Sequence, residues 1–232
     1  ISSYCLNNFG ITADMARNSN KFLGLAGYLK RKILKKINIF IKKKIFYVEP
    51  KNKQKITKYS NHIYNIDLAK NVYFEGNFET EKYFSHIKND IKNELTFLNI
   101  EELKKSPFFD RLIKNNSVSI CLRQNRFIEG KNRYNEVNKF KSEKFKNEQV
   151  NYINKSMSFI KNIILNPSFY LWSNDLNNLD ISSFNSKVTK VIHDDKIISS
   201  IIDKRVLDLF LISQCNHHIV IPSSFNWCCS LF

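Results

Sequence analysis

The chain has 232 residues, of which 43% are hydrophobic, which suits one large or two small α/β domains and excludes a globally disordered protein. Its formal net charge of +16 predicts an anionic partner, unless the many lysines only solvate the surface. The five cysteines include no C-x-x-C pair, which argues against a disulfide framework or a zinc site and favours a reducing compartment.

Residues 29–46, LKRKILKKINIFIKKKIF, predict an amphipathic helix with apolar residues at helical spacing and a Lys- and Arg-rich opposite face. Between Lys30 and Lys58 the chain carries twelve basic residues and a single acidic one, Glu49. Such a helix is typical of peripheral contact with an anionic membrane; the alternative is a helix packed on its own domain with a solvated basic face. No apolar run approaches the roughly 20 residues that a membrane-spanning helix needs.

Residues 72–84, VYFEGNFETEKYF, predict a strand, a turn at Gly76 and a helix that begins near Thr80. Thr80 is a suitable N-cap, and Glu81 follows it in the first turn, where a carboxylate is favourable. Two more helices are predicted near residues 86–97 and 100–113. We interpret most of the aromatic residues in this part of the chain as core.

Residues 117–127, SVSICLRQNRF, predict a buried strand that ends at Arg123. Ligands of doubly wound folds bind beyond the carboxyl ends of the strands, and a guanidinium there suits a diphosphate because its planar fork holds two phosphate oxygens. The alternative is a core strand followed by a surface arginine.

The polar residues 128–147 predict a loop, and a helix is predicted over about 147–165. The next block, Phe169 to Leu176, reads FYLWSNDL and predicts a buried strand ending near Asp175. We expect Asp175 to cap the turn after this strand, with an approach to a nucleotide as the alternative.

A weaker strand is predicted over residues 187–192. The acidic pair that follows His193 predicts a loop, since adjacent carboxylates point to opposite sides and no third metal ligand is evident. The Cys215, His217 and His218 group is likewise a poor zinc set, because adjacent histidines seldom both reach one ion.

The last 25 residues, DLFLISQCNHHIVIPSSFNWCCSLF, predict a helix from Asp208, a short buried strand over 218–221 and a Ser-rich turn. Ser224 is expected to cap a further helix over residues 225–231. Backbone N–H groups and hydroxyls at such a turn, together with the helix dipole, favour an anion at Ser223 and Ser224.

Four of these blocks resemble, in the same order, motifs of the α-1,2-fucosyltransferases, glycosyltransferase family 11. Arg123 matches the first arginine of the family's I-H-I-R-R-G-D-Y pattern, while Cys121 replaces its histidine, Gln124 its second arginine and Arg126 its aspartate. The other matching residues are Gly76, Phe78, Tyr83, Phe84, Ser173, Asp175, Asp208, Leu209, Leu211, Ser213, Cys215, Ile219, Ser223, Ser224, Phe225 and Trp227.

The resemblance implies an α/β fold with two Rossmann-like lobes of the GT-B type. We expect residues 1–115 to form part of an acceptor-side lobe and residues 116–232 to form the nucleotide-sugar lobe. The chain begins at Ile1 and ends at Phe232 inside a predicted helix, so we expect a fragment with a truncated first lobe and an incomplete C-terminus.

The resemblance also implies an inverting transfer of L-fucose from GDP-fucose to the 2-hydroxyl of a galactoside in a cell-surface glycan, without an essential metal or other cofactor. Arg123, Ser223 and Ser224 would stabilise the departing diphosphate, with Arg123 as the catalytic residue. Asp208 would accept the two adjacent N–H donors of guanine. Cys121 stands where the family places a histidine near guanine, and Asp175 is a further nucleotide-side candidate.

Two alternatives remain at this point. The replacements at Cys121, Gln124 and Arg126 remove a base contact, a positive charge and the candidate catalytic base, which favours an inactive homologue that binds only glycan or nucleotide. The charge of +16 motivates a nucleic-acid-binding protein, but no nucleic-acid motif is present and we expect no such partner. The expected location is the cytoplasm, with peripheral attachment to the inner face of a bacterial membrane.

Overall fold

The computed structural model describes residues 5–14, 21–42, 44–53, 56–66, 72–78, 80–129, 133–193 and 203–223. The chain forms two compact units: a larger unit of residues 1–10 and 96–232, and a smaller unit of residues 11–95. This division lies earlier in the sequence than the predicted boundary at residues 115/116. The helices over residues 100–114 belong to the larger unit, and the second of them packs on its sheet, as the Ser117 hydroxyl donating to the Leu112 carbonyl at 2.7 Å illustrates.

The larger unit is built on a parallel sheet of four strands: β3 (Ser117–Leu122), β4 (Ser168–Ser173), β5 (Val188–Lys190) and β6 (His217–Ile219). They lie in the order β5-β4-β3-β6, so β3 and β4 are central. Ile120 is level with Leu171 on one side and with Ile219 on the other. Every residue of β3 is buried, as expected for a strand covered by helices on both faces.

One face of this sheet packs against the long helix α5 (Glu136–Ile163). Alternate strand residues such as Val118, Ile120 and Leu171 meet the buried helix residues Ile153 and Met157. Because successive strand side chains point to opposite faces, these residues form a single layer. This layer is the main hydrophobic core of the larger unit.

The other face meets shorter helices: α4 (Phe109–Lys114) contacts β3, and α6 (Lys204–Ser213) brings Asp208 near Cys121 of β3, while α3 (Ile100–Lys104) precedes α4. Phe210 is almost fully buried, and its ring stacks on Phe109 at 5.7 Å and meets Phe97 edge-on at 5.3 Å. Asp203 caps α6 by accepting a hydrogen bond from the Arg205 N–H at 2.9 Å. The result is the helix–sheet–helix layering of α/β proteins.

The predicted loop over residues 128–147 is wrong in its second half, because α5 begins at Glu136. Asn135 caps the helix by accepting from the Asn138 N–H at 2.8 Å. The first half of α5 is polar and mostly exposed, so it lacks the apolar periodicity on which the prediction depended.

The smaller unit contains α1 (Gly24–Phe40), β1 (Phe46–Val48), β2 (Tyr73–Glu75) and α2 (Lys88–Glu94). β1 and β2 pair in parallel, with Phe46 level with Tyr73. Glu49, which is buried, follows β1 and accepts hydrogen bonds from the N–H groups of Asn77 and Phe78 at 2.8 and 3.1 Å. The helix predicted from Thr80 is instead two 3₁₀ turns that lead into α2.

The fold is therefore mixed α/β with parallel sheets, which confirms the coarse fold class. Within the described residues, no helix is both long enough and apolar enough to cross a bilayer. The finer expectation of two Rossmann-like lobes stays a prediction.

Candidate functional site

The order of the strands marks one edge of the sheet as the candidate site. From β3 the chain passes through α5 to β4 and then to β5 on the same side, and it returns through α6 to β6 on the opposite side of β3. The strand order thus reverses between β3 and β6. In open α/β sheets such a switch point opens a crevice at the carboxyl ends of the strands, where ligands bind.

Arg123 directly follows β3 at this edge, and its backbone is held from both sides by Gln149 of α5. The Arg123 N–H donates to Gln149 Oε1 at 3.0 Å, and Gln149 Nε2 donates to the Arg123 carbonyl at 2.9 Å. Gln149 is buried, so this pair of hydrogen bonds is shielded from water. The position of Arg123 is therefore fixed by the backbone, and its side chain, nearly half exposed, points away from the core.

The guanidinium of Arg123 forms an ion pair with Glu129. Glu129 also accepts a hydrogen bond from Asn174 Nδ2 at 3.0 Å, and Asn174 follows β4. An ion pair this exposed is worth about 0–1 kcal/mol, so a ligand with more negative charge can displace the carboxylate. Gln149 thus fixes the backbone of Arg123, while Glu129 binds its guanidinium only weakly.

Gln124 joins the ends of β3 and β4. Its Nε2 donates to Ser173 Oγ at 2.9 Å and to the Asp175 carbonyl at 2.6 Å. Its N–H donates to Asn174 Oδ1 at 2.8 Å, and Asn174 returns a hydrogen bond to the Gln124 carbonyl at 3.1 Å. Gln124 is buried, so its side chain serves the fold and not a ligand.

Asp175 lies in the turn after β4, and its carboxylate accepts from Asn178 Nδ2 at 3.0 and 3.3 Å. Its N–H lies 3.4 Å from Ser173 Oγ. The side chain that accepts a backbone N–H here is therefore that of Ser173, while the Asp175 carboxylate meets a side-chain amide, so the predicted cap by Asp175 stays a prediction. Asp175 as a nucleotide-side residue stays a prediction.

Asp208 lies on α6 and pairs with His193, which sequence reasoning assigned to a loop without a function. His193 Nε2 is 2.7 Å from Asp208 Oδ1, and the imidazole is buried with its ring edge-on to Phe108 at 6.2 Å. An ionised carboxylate only accepts hydrogen bonds, so a hydrogen bond to it requires the tautomer of His193 with the proton on Nε2. One contact does not exhaust a carboxylate, so Asp208 keeps capacity for further donors.

Cys121 and Cys215 are both buried free thiols on the α6 side of the sheet. Burial, together with the charge of Asp208, raises the pKa of Cys121 far above its ordinary value. Burial raises the pKa of Cys215 to about 12. Both are therefore neutral thiols near pH 7, and Cys121 is a weak donor compared with an imidazole.

Trp172 is level with Cys121 in the paired strands and is also buried. Among the described residues, its indole N–H is one of two buried polar side-chain groups that lack a hydrogen-bond partner.

Ser223 follows β6 after the buried Ile221 and the exposed Pro222, at the same edge of the sheet as Arg123. Ser224 and the helix predicted over residues 225–231 lie outside the described residues. The convergence of Arg123 with Ser223 and Ser224 stays a prediction.

His218 of β6 contacts the neighbouring strand β3. His218 Nδ1 is 2.8 Å from Ser119 Oγ, and burial, with His217 as a second cause, lowers the pKa of His218. Within the described part of the chain, no group of three or more His, Cys, Asp or Glu side chains is arranged to hold a metal.

No protein-family model, curated protein or solved structure matches the chain. The fold and the site alone therefore define the class of protein. It is a parallel α/β unit with an ion-paired arginine, Arg123, at the switch point and a histidine–aspartate pair, His193 and Asp208, at helix α6.

Proposed function

We propose that the chain belongs to an inverting glycosyltransferase that moves L-fucose from GDP-fucose to the 2-hydroxyl of a galactoside. The observation that carries the proposal is Arg123, held by Gln149 at the carboxyl end of β3 beside the switch point. The order of the four sequence blocks supports the choice of donor sugar nucleotide. The larger unit would be the nucleotide lobe of a two-lobe GT-B enzyme, and the smaller unit part of its acceptor-side lobe.

The proposed chemistry depends on charge that develops when GDP leaves. Negative charge then grows on the β-phosphate, and a positioned guanidinium stabilises it without reorganising at the moment of reaction. Arg123 would exchange Glu129 for two phosphate oxygens, and Ser223 and Ser224 would donate hydrogen bonds to the same diphosphate. The sugar would pass through an oxocarbenium-like state, as in glycoside hydrolysis.

Asp208 would select guanine, because N1–H and N2–H₂ of that base present two adjacent donors to one carboxylate. The hydrogen bond from His193 fixes the orientation of Asp208 and leaves its other oxygen for the base. Cys121 would lie near this contact without contributing a strong donor. We propose no metal and no further cofactor.

A second candidate function is nucleotide or glycan binding without catalysis. It is favoured by the contacts of the three positions that depart from the family pattern: Gln124 ties two strands together, Arg126 lies over the Phe145 ring at 4.8 Å, and Cys121 is a buried neutral thiol. None of the three is arranged to deprotonate a sugar hydroxyl. This candidate keeps the same diphosphate site and differs only in the absence of transfer.

Calorimetric titration of the 232-residue chain with GDP and GDP-fucose tests the site. We expect Arg123→Ala to weaken binding about ten- to a hundredfold, since hydrogen bonds to charged groups contribute roughly 1.5–3 kcal/mol. Glu129→Gln should instead strengthen binding severalfold, because it removes the competing carboxylate. Arg111 is an exposed arginine on α4, and Arg111→Ala is the matched control that should leave the affinity for GDP and GDP-fucose unchanged.

Three outcomes are distinguishable. No binding at millimolar nucleotide would contradict the transferase and a homologue that binds nucleotide. Binding accompanied by fucose transfer to a galactoside would support the transferase, while binding without transfer would support the non-catalytic candidate.

A further inference from the structure

Helix α1 faces its own unit with polar side chains. Arg31 Nε donates to Glu75 Oε2 at 2.7 Å, and Lys35 Nζ donates to Glu75 Oε1 at 2.6 Å. Asn38 donates to the Phe46 carbonyl at 2.7 Å and accepts from the N–H groups of Ile45 and Phe46, each at 3.0 Å. These three positions follow helical spacing from the buried Gly27, so they define the inner face of the helix.

The outer face of α1 is apolar. It carries four large side chains at helical spacing, with exposed fractions of 76% for Leu25, 50% for Leu29, 56% for Ile33 and 86% for Phe40. A surface helix normally buries its apolar stripe and exposes its charges, so the polarity of α1 is inverted. An exposed apolar strip of this kind on a surface marks an interaction site.

Lysines lie on the same face as this strip, with Lys36 at helical spacing between Ile33 and Phe40. Lys32 and Lys36 are exposed on the same side of the helix, and they belong to the segment between Lys30 and Lys58 that has twelve basic residues and one acidic residue. Arg31 and Lys35, in contrast, are paired with Glu75 on the inner face. The outer face therefore combines apolar area with positive charge.

We propose that α1 docks on the surface of an anionic lipid bilayer. Leu25, Leu29, Ile33 and Phe40 enter the boundary between headgroups and acyl chains, and Lys32 and Lys36 contact lipid phosphates. Interfacial helices bind by this sum of apolar burial and attraction to anionic lipid. The inference is independent of the proposed sugar-nucleotide site.

Other occupants fit the outer face less well. A second copy of the helix would bring Lys32 and Lys36 against like charges, which is unfavourable. A nucleic acid would use the lysines but gives no role to the apolar strip, because its affinity comes mainly from phosphate neutralisation. An anionic bilayer uses both features at once.

Co-sedimentation of the 232-residue chain with vesicles tests the proposal. We expect binding to vesicles of phosphatidylcholine and phosphatidylglycerol, little binding to phosphatidylcholine alone, and partial release by added salt, which screens the charges. In a Phe40→Trp variant, the fluorescence emission of the new tryptophan should shift to the blue on binding. Lipids brominated near the headgroup end of their acyl chains should quench this emission.

Two variants separate the contributions. Leu29→Ser with Phe40→Ser should reduce binding at least tenfold, and Lys32→Gln with Lys36→Gln should reduce it roughly 25-fold, since each basic residue at such a surface is worth about fivefold. All four side chains are exposed, so the fold should tolerate these changes. The matched controls lie on α5: Tyr152→Ser with Phe159→Ser, and Lys141→Gln with Lys144→Gln, should bind as the parent does.

The proposal fails if anionic vesicles do not bind at millimolar lipid, or if the serine variant binds them as well as the parent. It also fails if single-stranded RNA displaces the vesicles and binds the serine variant as tightly as the parent, since the outer face would then serve phosphates alone. A concentration-dependent dimer that the serine variant abolishes, without vesicle binding, would assign the face to a second copy.

Discussion

Single residues at the edge of the sheet depend on partners that are distant in sequence. Arg123 was located from the alternation of the strand before it, which is a local pattern. Gln149, which holds the Arg123 backbone, lies 26 residues away, and His193 lies 15 residues from its partner Asp208. Local periodicity carries no information about such pairs, so sequence reasoning missed both Gln149 and His193.

Gln149→Met tests how much this backbone clamp contributes. The variant keeps the length of the side chain but removes both hydrogen bonds to Arg123, and an unsatisfied buried group costs about 1–3 kcal/mol. We therefore expect a free energy of unfolding lower by roughly 2–4 kcal/mol in urea titrations. Asn151→Ala, an exposed change two residues further along α5, should stay within about 0.5 kcal/mol of the parent.

At the scale of elements, the buried strands were the most predictable part of the fold. β3 was located from the alternation of Val118, Ile120 and Leu122 along the strand, and β4 was located from a short apolar run, which is typical of a strand covered on both faces. The start of α5 was missed because Asn135 and a polar first half offer no apolar stripe. A helix was predicted over residues 29–46, but α1 spans Gly24–Phe40 and Phe46 already belongs to β1. Only the structure shows that the polar face of α1 is the inner one.

Gly27 gives a prediction at this scale, because its position in α1 allows no side chain. A Cβ on Gly27 would lie 2.7 Å from the Phe22 Cα, a backbone atom that cannot move aside cheaply. Gly27→Ala should therefore destabilise the smaller unit although alanine favours helix by about 1 kcal/mol. Hydrogen exchange of the α1 amides should reveal faster opening.

Ala26 provides the comparison, since it is exposed and precedes Gly27 in the same helix. Ala26→Gly should cost about 1 kcal/mol through helix propensity alone. If Gly27→Ala instead slowed exchange by the corresponding amount, the close packing against Phe22 would be contradicted.

At the scale of the whole molecule, the stability of the smaller unit depends on pH through Glu75, whose pKa is lowered, and Tyr83, whose pKa is raised. Burial alone would raise the pKa of Glu75, but the hydrogen bonds and charges of Arg31 and Lys35 outweigh it and lower that pKa below its ordinary value. The stabilisation from this group is present above the ordinary pKa of a glutamate and is lost as the pH falls through the lowered pKa. Acid should therefore loosen α1, and Glu75→Gln should reproduce that loosening at neutral pH in hydrogen-exchange measurements.

Tyr83 makes the smaller unit less stable at alkaline pH. Burial is the main cause that raises the pKa of Tyr83 to about 12. The hydrogen bond from the Ser60 N–H lowers this pKa, and the charge of Glu49 raises it further. A raised pKa means that the stabilisation is complete below about pH 10 and disappears as the pH rises toward 12. We expect thermal midpoints to fall over this range in the parent and to fall less in Tyr83→Phe; equal slopes would contradict the assignment.

The two-way hydrogen bonding between Gln149 and the backbone of Arg123 also supplies a spectroscopic reporter. Both protons that join these residues are shielded by a buried amide, so they should exchange slowly with solvent and give resolved NMR resonances. A phosphate group that displaces Glu129 would shift those resonances without any substitution in the chain. Occupancy of the site can thus be followed in the unaltered molecule, one titration point at a time.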